Sequence, residues 1–167
     1  MGNRNIKIRK VGNKDWTKLY TLLNKVFYYL EDKYYPKKFI KSQKDIYTQE
    51  KIKEITKNEK YLSLGCFHNK ELIAFSIGYF MPISYLFYLE WIGIHPKYMR
   101  QGLFSRLLKT LEKRVVENFG AHKIYLYTSL KNIPAINGYL KNGYNIEGIL
   151  PKHFQGIDFC IIGKIVK

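Results

Sequence analysis

Polar and apolar residues alternate over residues 5–11, the period of a half-buried strand. The next apolar set is Trp16, Leu19, Tyr20, Leu23, Phe27 and Leu30, which return every three or four residues and predict a helix. Asp15 stands where its N-cap belongs. Residues 31–60 are lysine-rich and contain Pro36; they predict one or two short helices, best defined over 49–56. Strands follow over 61–67 and 72–80, around a turn at His68-Asn69-Lys70. The run over 86–94 is apolar on both faces, the mark of a central strand. A helical stripe covers 103–116, a strand 124–129, and a short helix 134–141 that Asn142-Gly143 closes. Two final strands over 144–150 and 157–166 are joined across 151–156. The expected order is β-α-α-β-β-β-α-β-α-β-β, a mixed α/β sheet.

The chain has 167 residues, 46% of them hydrophobic and 16% aromatic, which suits a single packed domain over 1–167 and excludes a disordered chain. No apolar run approaches the roughly 20 residues that cross a bilayer. Residues 1–10 alternate polar and apolar positions and carry Arg4, Lys7, Arg9 and Lys10, unlike a signal peptide, so a cytoplasmic location is expected. Cys66 and Cys160 lie in apolar runs with no spacing suited to zinc and are expected as free core thiols.

A formal charge of +16 raises the question of a nucleic-acid partner. The composition argues against one. Of 29 basic residues 24 are lysine, and they are spread so that 1–60 hold 16 basic and 7 acidic residues and the remainder 13 and 6. No block of like charge forms. A solvated lysine surface and a general attraction to an acidic ligand or partner both fit this pattern.

The chemistry concentrates where the central strand ends. In "HPKYMRQGLFSRLL" (His95 to Leu108) Pro96 stops the strand, a basic loop follows, and a helix begins directly after Gly102. The first N–H groups of that helix, roughly from Arg100 to Ser105, have no intrahelical acceptors. With the positive end of the helix dipole they form a cradle for a phosphate group. About 30 residues on, "NIPAINGYLKNGY" contains Asn132-x-x-Ala135-x-x-x-Tyr139-x-Lys141-x-Gly143-Tyr144.

These two motifs, in this order, resemble the GNAT superfamily of acetyl-CoA-dependent N-acetyltransferases, in which Arg/Gln-x-x-Gly-x-Gly/Ala holds the CoA pyrophosphate. The element order fits along nearly the whole chain, with motif-level likeness between about Glu90 and Tyr144. The resemblance implies a GNAT-like mixed sheet of about seven strands flanked by about four helices. It implies acetyl-CoA as co-substrate, no metal, and acetyl transfer to a primary amine by direct attack. Ile92, Gly93 and Ile94 would pair with the pantetheine arm. Arg100, Gln101, Gly102, Leu103, Phe104 and Ser105 would hold the pyrophosphate, Asn132 would bond the pantetheine, and Tyr139 would protonate the leaving thiolate. Two loop positions depart from the pattern. Met99 replaces the first Arg or Gln, and Phe104 replaces the second small residue, so its ring must turn into the core. The family's ribosomal-protein enzymes carry a glutamate five residues before the motif asparagine; here that position is Tyr127, so the likeness stops short of that subgroup.

The amine must lose a proton to attack. Glu90 is the one acid between Glu71 and Glu112 and lies in the most apolar strand, where desolvation raises a carboxyl's pKa toward that of a working base. His95 is the alternative base. His153 and Phe154 fall where the family admits the acceptor, and Tyr28 and Tyr29 would line the opposite wall. The acceptor amine is a small molecule or a protein or peptide; a membrane partner is excluded, nucleic acid is disfavoured, and a homodimer stays open. The rival reading is a GNAT-like module that binds CoA, RNA or protein without catalysis.

Overall fold

The computed structural model describes residues 5–167; the basic residue Arg4 and the three before it lie outside that range. Strand β1 (Ile6–Lys10) leads through a 3-10 turn into α1 (Trp16–Leu30), α2 (Lys37–Ile46) and α3 (Gln49–Lys57). Strands β2 (Tyr61–His68), β3 (Glu71–Met81) and β4 (Leu86–Ile94) form an antiparallel meander. Helix α4 (Leu103–Phe119), strand β5 (Lys123–Ser129), helix α5 (Ile133–Lys141) and strands β6 (Asn145–Phe154) and β7 (Ile157–Ile165) complete the chain. The seven strands run in the order β1-β2-β3-β4-β5-β7-β6, with β4 and β5 the one parallel pair. Five helices flank this sheet where about four were expected, because the lysine-rich segment folds into both α2 and α3.

The helices divide between the two faces. Leu107, Leu108, Leu111 and Val115 of α4 pack with Leu64, Phe87 and Ile124 on one face. Leu19, Leu23 and Phe27 of α1, Ile40 of α2 and Ile52 and Ile55 of α3 pack with Phe75 and Ile77 on the other. Among the described residues no helix is long and apolar enough to cross a membrane. Asn69 and Lys70 form the β2–β3 turn with φ of 47° and 72°, the two left-handed residues that a tight hairpin of this hand requires. Asp15 precedes α1 as expected but makes no side-chain cap bond. Its buried carboxylate instead pairs with Arg9 of β1 at 2.6 Å, and that guanidinium holds its pKa below the usual carboxylate range.

The feature that shapes the site is a parting of the sheet. The β4–β5 ladder joins only Leu86, Phe87 and Tyr88 to Lys123, Ile124 and Tyr125. Beyond Tyr88 the two strands separate. On its other edge β4 carries a bulge: Ile77 pairs with Trp91 and Gly78 with Leu89, so Glu90 has no partner on β3. An extra residue on one strand bends it and increases its twist. Gly78 permits this close approach, since a Cβ there would overlap the ring of Phe87.

Candidate active site

A cleft of about 790 Å³, within the range of small-molecule sites, occupies the gap between the separated strands. Ile92, Gly93 and Ile94 line it, and their β5-facing edge has no strand partner among the described residues. Gly93 sits against the core: a Cβ there would stand 2.6 Å from the Phe75 ring.

At the end of β4, the Pro96–Tyr98 turn delivers the chain to the loop. Arg100 and Gly102 both take left-handed backbone angles, φ 62° and 73°. Gly102 is the N-cap of α4 and supplies no side-chain cap, so the first N–H groups of a 17-residue helix point out uncapped. Arg100, Gly102, Leu103, Phe104 and Ser105 line the cleft here, together with Met99. Gln101 is exposed and does not line it. The hydroxyl of Ser105 accepts a bond from Asn142 at 3.0 Å, which ties the start of α4 to the end of α5.

Phe104 does turn inward, but only in part: it stays half-buried and its ring meets Tyr139 edge-on at 5.1 Å. Gly138 makes the space, since a Cβ there would lie 3.0 Å from the Phe104 ring. Bulk in the loop is thus offset by its absence in α5. Tyr139 is buried and lines the cleft, and burial pushes its phenol pKa up, keeping it protonated. Its hydroxyl has no protein partner among the described residues. Asn132, at the start of α5, also lines the cleft without making a side-chain cap bond.

Glu90 faces the same cleft from the bulge. Its Oε2 is shielded from solvent and has no hydrogen-bond partner among the described residues. Burial raises the Glu90 pKa above the usual carboxylate value; the Tyr47 phenol and the charges of Lys51 and Lys60 pull it partly back. In return, burial and the Glu90 charge raise the phenol pKa values of Tyr47, Tyr61, Tyr79 and Tyr88.

The remaining sequence candidates divide. Tyr29 and His153 line the cleft, with His153 stacked on Tyr127 at 5.9 Å, and Phe154 lies beside them. Tyr28 is 79% exposed and faces a separate groove on the outside of α1. His95 lines that outer groove too: its Nδ1 accepts from the Lys97 N–H at 3.2 Å, burial lowers its pKa, and it does not reach the cleft. The burial of Cys66, a free thiol, pushes its pKa up to about 11, which keeps it unreactive. The sequence reading missed most of one wall. Tyr34, Tyr35, Phe39, Gln43 and Tyr47 come from the lysine-rich segment over 31–60, and Trp91 from the bulge. The signal was there as aromatic residues recurring in a lysine-rich stretch.

Comparison with solved structures finds the same fold in several N-acetyltransferases. The fold is similar to PaiA N-acetyltransferase from Thermoplasma acidophilum in complex with coenzyme A, with TM-score 0.82, 22% identity, and 96% of this chain and 99% of that one covered. It is also similar to an acetyltransferase of the GNAT family from Streptococcus pneumoniae (TM-score 0.81, 21% identity, 98% and 100% covered). A third similar structure is spermidine N-acetyltransferase from Vibrio cholerae in complex with CoA and spermine (TM-score 0.71, 19% identity, 98% and 96% covered). No curated protein matches the chain in sequence. The sequence profile of the Acetyltransferase (GNAT) family matches residues 16–144, from the start of α1 to the end of the second motif, and the chain belongs to that family.

Proposed function

We propose that the protein transfers an acetyl group from acetyl-CoA to a primary amine by direct attack. The observation that carries this reading is the coincidence of an unpaired strand edge at Ile92–Ile94 with the uncapped start of α4, both opening into one cleft. An amide-bearing arm would add to the free edge of β4 as a strand does. A pyrophosphate would lie on the N–H groups after Gly102, with Arg100 beside it. Asn132 would offer its side-chain amide to the arm. Acetyl-CoA supplies the thioester.

The remaining chemistry is proton handling. The amine nitrogen attacks the thioester carbonyl carbon, a C–N bond forms, and the C–S bond breaks. The amine loses one proton, taken by Glu90 directly or through water, and the departing thiolate gains one from Tyr139. Burial raises the Glu90 carboxyl toward the working range of a base. It keeps the Tyr139 phenol protonated and able to hydrogen-bond the sulfur, while the same upward shift makes it a weaker acid, so the proton passes only as negative charge builds on the departing thiolate. Tyr29, His153 and Phe154 would line the acceptor side.

Calorimetric titration with acetyl-CoA and with CoA, followed by thiol release in the presence of amines, tests the reading. Binding of both and amine-dependent thiol release are expected. Binding without thiol release from any amine would favour a CoA-binding module, and no binding of either would remove the reading altogether.

A further inference from the structure

The acceptor half of the cleft has an unusual inventory. Its walls are aromatic: Tyr29, Tyr35, Phe39, Trp91, Tyr127 and Phe154 all line it. They come from α1, the α1–α2 connection, α2, β4, β5 and β6. The rings brace one another, Tyr35 stacked on Phe39 at 4.8 Å and Phe154 edge-on to Phe39 at 5.6 Å. The Tyr35 hydroxyl bonds Thr128 Oγ1 at 3.2 Å and accepts the Ser129 N–H at 3.3 Å, so this wall is fastened to β5. Against all this apolar surface stands one carboxylate. Glu90 is the only acid lining the cleft among the described residues, and the only cations lining it are Arg100 and Lys141, on the loop and α5.

We infer that the acceptor is a small amine with a single positive charge carried on an aromatic or bulky apolar body, not a polyamine. This rests on the acetyltransferase reading above. One ammonium can be met by Glu90 at the bulge, and the body by the rings behind it. A second or third ammonium on the same molecule would enter the aromatic region with no carboxylate to receive it, and each desolvated charge is costly unless paired. The long-range field points the same way. At +16 the chain repels a polycation more than a monocation. Lys60 adds to this near Glu90 and stands over the Tyr79 ring at 5.0 Å, whereas Lys51, over the Tyr61 ring at 5.5 Å, is offset by its ion pair with Glu54 at 3.0 Å. The titratable groups facing Glu90 are thus Tyr47, Lys51, Lys60, Tyr61, Tyr79 and Tyr88, none of them a second acid.

The test uses the full chain with acetyl-CoA and three amines at equal concentration: phenethylamine, propylamine and spermidine. Titration calorimetry with acetyl-CoA comes first, because absence of binding there fails the acetyltransferase reading itself. With acetyl-CoA bound, kcat/KM for phenethylamine should exceed that for propylamine by roughly 10- to 100-fold, the scale of burying one aromatic ring, and spermidine should be the poorest of the three. Phe154→Ala should shrink the phenethylamine-to-propylamine ratio by several-fold while acetyl-CoA affinity holds, and Phe154 is exposed enough for the fold to tolerate the change. Spermidine turned over best, propylamine equal to phenethylamine, or acetyl-CoA bound with none of the three acetylated would each overturn the inference.

Discussion

Gly102 and Gly120 sit at the two ends of α4, both left-handed (φ 73° and 64°), and a Cβ added at either meets nothing within 4 Å. Only Gly102 lines the cleft. The pair therefore separates backbone strain from ligand contact. A β-branched residue in the left-handed region costs about 2 kcal/mol. In a chain of this size that lowers Tm by roughly 4–8 °C, and both Gly102→Val and Gly120→Val should show a loss of that order in a thermal melt. Their ligand behaviour should diverge. At Gly102 the new side chain projects into the open space beside the uncapped N–H groups, where a phosphate would approach. Losing one or two bonds to a charged group at about 1.5–3 kcal/mol each should weaken CoA by roughly 10- to 10⁴-fold by calorimetry. Gly120→Val should bind CoA as the parent does. Equal CoA affinity for the two variants, both folded, would refute the assignment of the α4 N-terminus as the anion cradle.

Tyr139→Phe removes a hydroxyl that has no hydrogen-bond partner among the described residues, so the fold and acetyl-CoA affinity should hold while turnover falls roughly 10²–10⁴-fold; raising the pH should not restore it, since alkali supplies no proton. Glu90→Gln should lower turnover most at low pH, where few amines are free, with partial recovery as pH rises, and an unchanged pH–rate profile would remove Glu90 from the chemistry. The same substitution has a stability signature. The Glu90 pKa is raised on folding, so its native form holds a proton more tightly than the unfolded chain; stability is greatest below the unfolded pKa and declines as pH rises through the folded one. Denaturant titration should therefore find Glu90→Gln less affected by that rise than the parent. Asp15 has the opposite sign: its pKa is lowered by Arg9, so its contribution is present above the unfolded value of 3.8 and is lost as pH falls through the native one. Asp15→Asn should cost about 1–3 kcal/mol at pH 7 and progressively less in acid, again by denaturant titration.

Regular periodicity made most of the fold legible. Strand β4 occupies the span expected of it because a nine-residue run that is apolar on both faces apart from Glu90 has few alternatives to the middle of a sheet, and α1 begins and ends with its apolar stripe. The half proposed for the cofactor was legible for a different reason: loop and helix start are adjacent in sequence, so Arg100 to Ser105 could be read as one unit, of which all but Gln101 line the cleft. The acceptor half was not. Tyr35, Phe39 and Tyr47 face one cleft across a helix and two connections, a spacing that follows no simple period, and the surrounding lysines hide it. The bulge at Glu90 was equally hidden. Leu89-Glu90-Trp91 reads as a slip in alternation, and only the register against Ile77 and Gly78 shows that the strand has gained a residue. Asp15 shows a third kind of miss. A residue type suited to capping found a stronger partner in Arg9, six positions back.

The parting of β4 from β5 gives a strand in the middle of the sheet an open edge. Open edges invite another chain to pair with them, and proteins usually blunt them with charge, proline or a cover. From Leu89 to Ile94 the edge carries no proline, and its one charge is Glu90. Whatever small molecule fills the slot thus also acts as its guard. In the empty protein the amide protons on that side should exchange quickly with solvent and the chain should aggregate more readily; a ligand lying along β4 should suppress both, tying the solubility of the protein to the supply of its ligand.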